Sequence, residues 1–145
     1  MIGLIQRVTE ARVVVSGDVV GEIGPGILLL LGVEAQDECA QAERLLQKVL
    51  GYRIFEDEAG KMNRSLRDTA GGLLVVSQFT LVADTRKGLR PSFSSGASAE
   101  KGEALYTTFL NLAKAAHPHV ASGRYAADMK VFLCNDGPAT FWLTA

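Results

Sequence analysis

The chain has 145 residues, 48% of them hydrophobic and 21% charged, with a formal net charge of −1. That composition fits one soluble globular domain over residues 1–145, large enough to build a core without disulfide or metal staples. It excludes a membrane helix, which needs about 18 apolar residues in a row, and a protein that coats a long phosphate backbone, which would be strongly basic.

The first third reads as strands. Ile2–Val8 is one, Val-rich Arg12–Ser16 a second, and Gly17-Asp18 a tight turn leading to Val19–Ile23. After the Gly24-Pro25-Gly26 break, Ile27–Val33 is almost wholly apolar, as a central strand requires. Asp37 is placed to cap a helix in which Ala42, Leu45, Leu46, Val49 and Leu50 form one apolar stripe, ending near Gly51. Tyr52–Phe55 is a short extended piece, Glu56–Gly60 a polar turn and Leu73–Val76 another strand. Asp84–Gly96 is a loop rich in Gly, Pro and Ser. Ser98 caps a second helix with Leu105, Phe109, Leu112 and Ala116 on its buried face, stopped by His117-Pro118. Met129–Cys134 and Ala139–Leu143 are the last strands, joined by Asn135-Asp136-Gly137-Pro138. Many strands with two main helices packed outside, in no regular βαβ alternation, indicate an α+β fold with mixed sheets.

Generic catalytic signatures are almost absent. There is no Gly-x-Ser-x-Gly elbow, no Walker loop and no His-Glu-x-x-His. Cys39 and Cys134 lie far apart with no Cys or His at ligand spacing, which reads as two reduced thiols and no metal. Gly21-x-x-Gly24-x-Gly26 opens a strand rather than a helix, the wrong context for a phosphate cradle. His117 and His119 read as a solvent-facing pair at a helix end, leaving little for a Ser-His-Asp triad. Arg86, Lys87 and Arg90 share one loop, either a solvated cluster or a grip on phosphate. Asn135–Pro138 is a turn, either a simple hairpin turn or a rigid corner presenting backbone carbonyls. The N-terminus lacks a basic segment followed by a long apolar one, so no secretory leader is expected and the cytoplasm is the expected compartment.

Six segments occur in a specific order. They are Met1-Ile2-x-Leu4-Ile5-Gln6-Arg7-Val8, Tyr52-Arg53-Ile54-Phe55, Gly60-Lys61-Met62-Asn63, Ser77-Gln78-Phe79-Thr80-Leu81, Arg90-Pro91-Ser92-Phe93 and Asn135-Asp136-Gly137-Pro138-x-Thr140. As a series they resemble the D-aminoacyl-tRNA deacylase family of the bacterial and eukaryotic type, over essentially the whole chain. The resemblance implies a homodimer with active sites at the subunit interface. It implies hydrolysis of the ester between a D-amino acid, or glycine on tRNA(Ala), and the terminal adenosine at the tRNA 3′ end, without a cofactor. Ser77, Gln78, Phe79 and Thr80 match the stretch lining the reaction centre. Gly137 and Pro138 match a cis-proline motif that enters the partner's site and reads chirality, and Arg7 matches the arginine orienting it. Tyr125 and Met129 fall where family members contact the adenine; Tyr125 replaces a common Phe, and Ala126 a common Gly.

An aminoacyl ester is already activated, so modest help suffices. The N–H groups of Phe79 and Thr80 are the expected oxyanion donors. No side chain offers itself as the base; orientation or activation of the water by the tRNA 2′-hydroxyl is what the resemblance also implies, with Thr80 as a positioning residue, a nucleophile or a packing residue. Two rivals stand beside this reading: a hydrolase of another activated ester or amide such as peptidyl-tRNA, and a non-catalytic RNA-binding module.

Overall fold

The computed structural model describes all 145 residues. In chain order they form β1 (Ile2–Val15), β2 (Asp18–Ile23), β3 (Gly26–Gly32), α1 (Cys39–Gly51), β4 (Phe55–Glu56) and β5 (Met62–Arg64). Then come α2 (Leu66–Thr69), β6 (Gly72–Ser77), a 3-10 turn (Phe79–Val82), α3 (Ala99–Ala116), β7 (Val120–Ser122) and β8 (Lys130–Thr144). The fold is α+β, as expected, with α1 and α3 as the main helices.

One long strand organises the sheet. β1 pairs antiparallel with β3 through its first half, with β2 through its second half, and with β8 along almost its full length on the other edge. β3, β6 and β7 continue as parallel neighbours, making the sheet mixed. The two strands expected over Ile2–Val8 and Arg12–Ser16 are therefore one, because neighbours pair across the polar residues between them. The hairpin turn centres on Ser16-Gly17, both at positive φ, rather than on Gly17-Asp18. The Gly-rich stretch before β3 serves packing: a Cβ on Gly26 would lie 2.0 Å from the Gly72 carbonyl oxygen.

β3 is apolar throughout because both its faces are buried. Ile27, Leu29 and Leu31 join Leu73 and Val75 of β6 under the helices, against Leu45, Leu46, Val49 and Phe109. Leu28 alternates with them and joins Val8, Val13, Leu74 and Val76 inside the curled sheet. The stripe expected on α1 is its buried face.

Three local readings change. The N-cap of α1 is Glu38; Asp37 instead accepts the Met1 ammonium at 2.5 Å and the Glu34 amide at 2.7 Å. On α3 the buried set is Gly102, Leu105, Tyr106, Phe109 and Ala113, with Leu112 only half-buried and Ala116 exposed, because the helix turns its face one residue from the expected stripe. His117 is buried, its Nε2 bonded to the Gly71 carbonyl at 2.6 Å, while His119 is exposed. α2 begins with a capping box formed by Ser65 and Asp68, a signal present in the sequence. No helix is long and apolar enough to cross a membrane.

Candidate active site

A cleft of about 540 Å³ opens between the end of β6, the 3-10 turn, α3 and the segment before β8. Of the reaction-centre residues expected from the sequence, Ser77, Gln78 and Phe79 line it, and Tyr125 and Met129 line its opposite side. Thr80, the second residue of the turn, is exposed and does not itself line the cleft.

The turn exists because β6 ends where its pairing with β3 ends, at Ser77 opposite Leu31. Gln78 makes one last bond, from its amide to the Leu31 carbonyl at 2.8 Å. The first amide taken up within the turn is that of Leu81, by the Gln78 carbonyl at 3.2 Å. The Phe79 and Thr80 amides precede that bond and lie at the turn's open end. Gln78 Nε2 donates to Thr80 Oγ1 at 2.5 Å, so the Thr80 oxygen faces an amide donor and not a base.

Sequence reasoning missed part of the lining. Tyr106 packs tilted against Tyr125 at 5.6 Å between centroids, and Phe93 tilted against Phe79 at 5.1 Å. Burial pushes the Tyr106 phenol up to about 12, so it stays protonated and donates to the Val75 carbonyl at 3.0 Å. Burial also raises the Tyr125 phenol, with Glu103 adding to the effect; its hydroxyl donates to the Ala99 carbonyl at 3.1 Å. A signal for this contact lay in Gly102, a glycine inside a helix: a Cβ there would meet the Tyr125 hydroxyl at 2.5 Å. Ala126 sits at φ 59°, a left-handed conformation that glycine also adopts readily. The one carboxylate of the lining, Asp128, is exposed and lies 3.5 Å from Lys130 Nζ. Neither histidine lines the cleft.

Arg7, Gly137 and Pro138 are placed elsewhere. Val8 pairs with Asn135 and Gln6 with Thr140, so Asp136–Ala139 bulge out opposite Arg7 alone. Asn135–Pro138 is thus a bulge within one continuous β8, not the link between two strands that sequence spacing indicated. Asn135 closes the bulge, accepting the Ala139 amide at 2.7 Å and donating to Thr140 Oγ1 at 2.9 Å. Arg7, only 8% exposed, donates from Nε to the Asp136 carbonyl at 2.8 Å and from Nη1 to the Ile54 carbonyl at 2.6 Å. The Gly137–Pro138 peptide is cis, Gly137 has φ 144°, and both residues are exposed. None of the three lines the cleft of its own chain.

The cationic loop also lies outside the cleft lining. Arg86 forks onto Asp84 at 2.9 and 2.7 Å and holds that carboxyl well below the usual range, while Lys87 and Arg90 stand exposed. No three His, Cys, Asp or Glu side chains converge as a metal site.

The family model for D-Tyr-tRNA(Tyr) deacylase matches residues 4–144. The chain belongs to that family. It is 62% identical over 145 residues to the D-aminoacyl-tRNA deacylase of Alkalilimnicola ehrlichii, covering 100% of this chain and 97% of the relative. It is 57% identical over 143 residues to the D-aminoacyl-tRNA deacylase of an Escherichia coli O1:K1 strain, covering 99% of each. A solved structure described as c-Myc DNA Unwinding Element Binding Protein superposes with a TM-score of 0.96 at 37% identity, covering 100% of this chain and 99% of that one. A probable eukaryotic D-amino acid tRNA deacylase shares the fold at 17% identity, with a TM-score of 0.84 and 98% of each chain covered. The family's members are deacylases, hydrolases of ester bonds.

Proposed function

We propose that this chain hydrolyses the ester between a D-amino acid, or glycine on tRNA(Ala), and the terminal adenosine of tRNA, and spares L-aminoacyl-tRNA. The observation that carries the reading, beside family membership, is the turn starting at Phe79, whose first two amides, of Phe79 and Thr80, lie at its open end, beside a cleft that Phe79 lines and that offers no buried base.

The ester carbonyl sits against these two amides. Water adds to the acyl carbon, negative charge develops on the former carbonyl oxygen, and each donor stabilises it by about 3 kcal/mol. The bond to the tRNA oxygen then breaks, and that oxygen takes up a proton. The 2′-hydroxyl of the same ribose orients and activates the water. Gln78 orients Thr80 beside the centre. Tyr125 and Met129 receive the adenine, and the exposed Lys87 and Arg90, with Arg86, meet phosphates farther along. Neither a metal nor a cofactor takes part.

Chirality is read by exclusion. The Gly137 and Pro138 carbonyls hold the substrate ammonium and leave no space for an L side chain, whereas glycine passes. Because this corner lies outside its own chain's cleft, it serves the cleft of a second copy, making the working unit a homodimer. The outer strand β8, with exposed Phe132, Leu133 and Trp142, suits self-association. The expected setting is the cytoplasm.

The decisive experiment charges one tRNA with the D and L forms of one amino acid and follows both esters with enzyme far below substrate. Repeated turnover of the D ester with the L ester spared is expected. Equal rates would remove the stereochemical reading, and stoichiometric binding without turnover would leave an RNA-binding module.

A further inference from the structure

We infer that the β4–β5 hairpin sets the position of the Gly137–Pro138 corner, with Arg53, Asp57 and Asn63 as positioning residues for stereochemical selection. This rests on the function proposed above.

The hairpin needs side-chain support, since β4 and β5 have only two and three residues. Asp57 closes its turn. One carboxylate oxygen accepts the Ala59 amide at 2.9 Å and the Lys61 amide at 3.0 Å, and the other accepts Asn63 Nδ2 at 2.8 Å. Asn63 in turn receives a fork from Arg53: Nε donates to its main-chain carbonyl at 2.8 Å and Nη2 to its Oδ1 at 2.7 Å. That fork ties position 53 to β5 at Asn63. The next carbonyl, that of Ile54, accepts Arg7 Nη1, and Arg7 Nε holds the Asp136 carbonyl, one residue before Gly137. The relay therefore runs from Asp57 through Asn63, Arg53 and Arg7 to the corner.

Two contacts keep the middle of this relay from sliding. The Ile54 side chain is buried in the core, and Tyr52 packs edge-on against Phe141 of β8 at 5.5 Å. The Ile54 end of the Arg7 bridge thus rests on seated backbone. Arg53 and Asn63 are themselves exposed, where single polar contacts contribute little to stability. Their geometric demand is high all the same: the fork needs a planar guanidinium, and the central amide needs a donor on one side and an acceptor on the other.

The test uses that polarity. Asn63→Asp removes the donor and sets two carboxylates against each other. Combining it with Asp57→Asn restores every bond with the donor and acceptor exchanged. The readout is the ratio of D- to L-aminoacyl-tRNA deacylation rates, with the thermal midpoint followed alongside. Asn63→Asp should lower the ratio about tenfold or more, and the exchanged pair should return it to the wild-type value. Should Asn63→Asp not fold, Arg53→Lys, which keeps the charge and loses the fork, carries the same expectation of a lowered ratio. An unchanged ratio, or a loss that the exchanged pair does not restore, would overturn the inference. Arg7→Ala measured in parallel separates the two levels: if it lowers the ratio and the hairpin variants do not, only the hairpin role fails. If neither Arg7→Ala nor the hairpin variants alter the ratio, the filter itself is misassigned and both readings fall.

Discussion

Arg7 on β1 donates from Nε to the carbonyl of Asp136 on β8 at 2.8 Å, and its charge lies 3.8 Å from the Asp136 carboxylate. This nearly buried cation joins the bulge to the strand opposite it. Arg7→Ala should lower the D/L deacylation ratio and, by removing two bonds from a charged donor, destabilise the fold by about 2 kcal/mol. Arg7→Lys keeps the charge but cannot reach both carbonyls with a fixed fork, so it should recover stability better than selectivity. Denaturant unfolding and paired deacylation assays measure the two effects.

Thr80 takes its hydrogen bond from an amide donor. Thr80→Ala should therefore retain deacylation within about tenfold of wild type, against a loss on the order of 10⁶-fold for a true nucleophile. Single-turnover rates on a D-aminoacyl-tRNA decide between them, with folding checked by circular dichroism.

The cleft presents no buried carboxylate or imidazole, and the base is assigned to the substrate. A tRNA ending in 2′-deoxyadenosine, charged at the 3′-oxygen, should still bind but be hydrolysed at least about 100-fold more slowly. Undiminished hydrolysis would move the base back to the protein.

Gly137 and Pro138 lie outside their own chain's cleft, so selection should be complemented between subunits. One chain carries a bulky substitution in the Ser77–Thr80 segment, and the other a replacement of the Gly137-Pro138 pair. Neither alone should combine activity with selectivity, and mixed dimers should regain both at one of two sites. The absence of any recovery in mixed dimers of verified composition would count against a shared site.

His117 holds the Gly71 carbonyl beneath the end of α3. His117→Ala should cost about 1–3 kcal/mol by leaving that buried acceptor unpaired. The His119→Ala variant, altering an exposed side chain, should leave stability within about 0.5 kcal/mol. Neither variant should alter the shape of the pH–rate profile, because neither ring lines the cleft.

Much was legible along the chain because it is local. The α1 stripe, the Ser98 cap and the two-face burial of β3 follow from spacing and side-chain chemistry within a few residues. The Ser77–Leu81 and Asn135–Pro138 segments stood out as motifs of fixed order, and the family they indicate is the one to which the chain belongs. The rest depended on partners distant in sequence. No spacing rule shows that β1 runs unbroken to Val15, since its continuity comes from β8 pairing across it. Nor does any local rule turn Asp136–Ala139 into a bulge: that follows from Gln6 meeting Thr140 while Val8 meets Asn135, which leaves Arg7 facing the excess chain. Tyr106 and Phe93 entered the cleft for the same reason, because α3 and the Asp84–Gly96 loop are brought over the end of β6 by packing. Sequence alone determined the family and which segments are its candidates for the chemistry. The tertiary structure decided their arrangement, placing Ser77, Gln78 and Phe79 at one cleft and Gly137 and Pro138 away from it, because strand register is set by contacts between residues far apart in the chain.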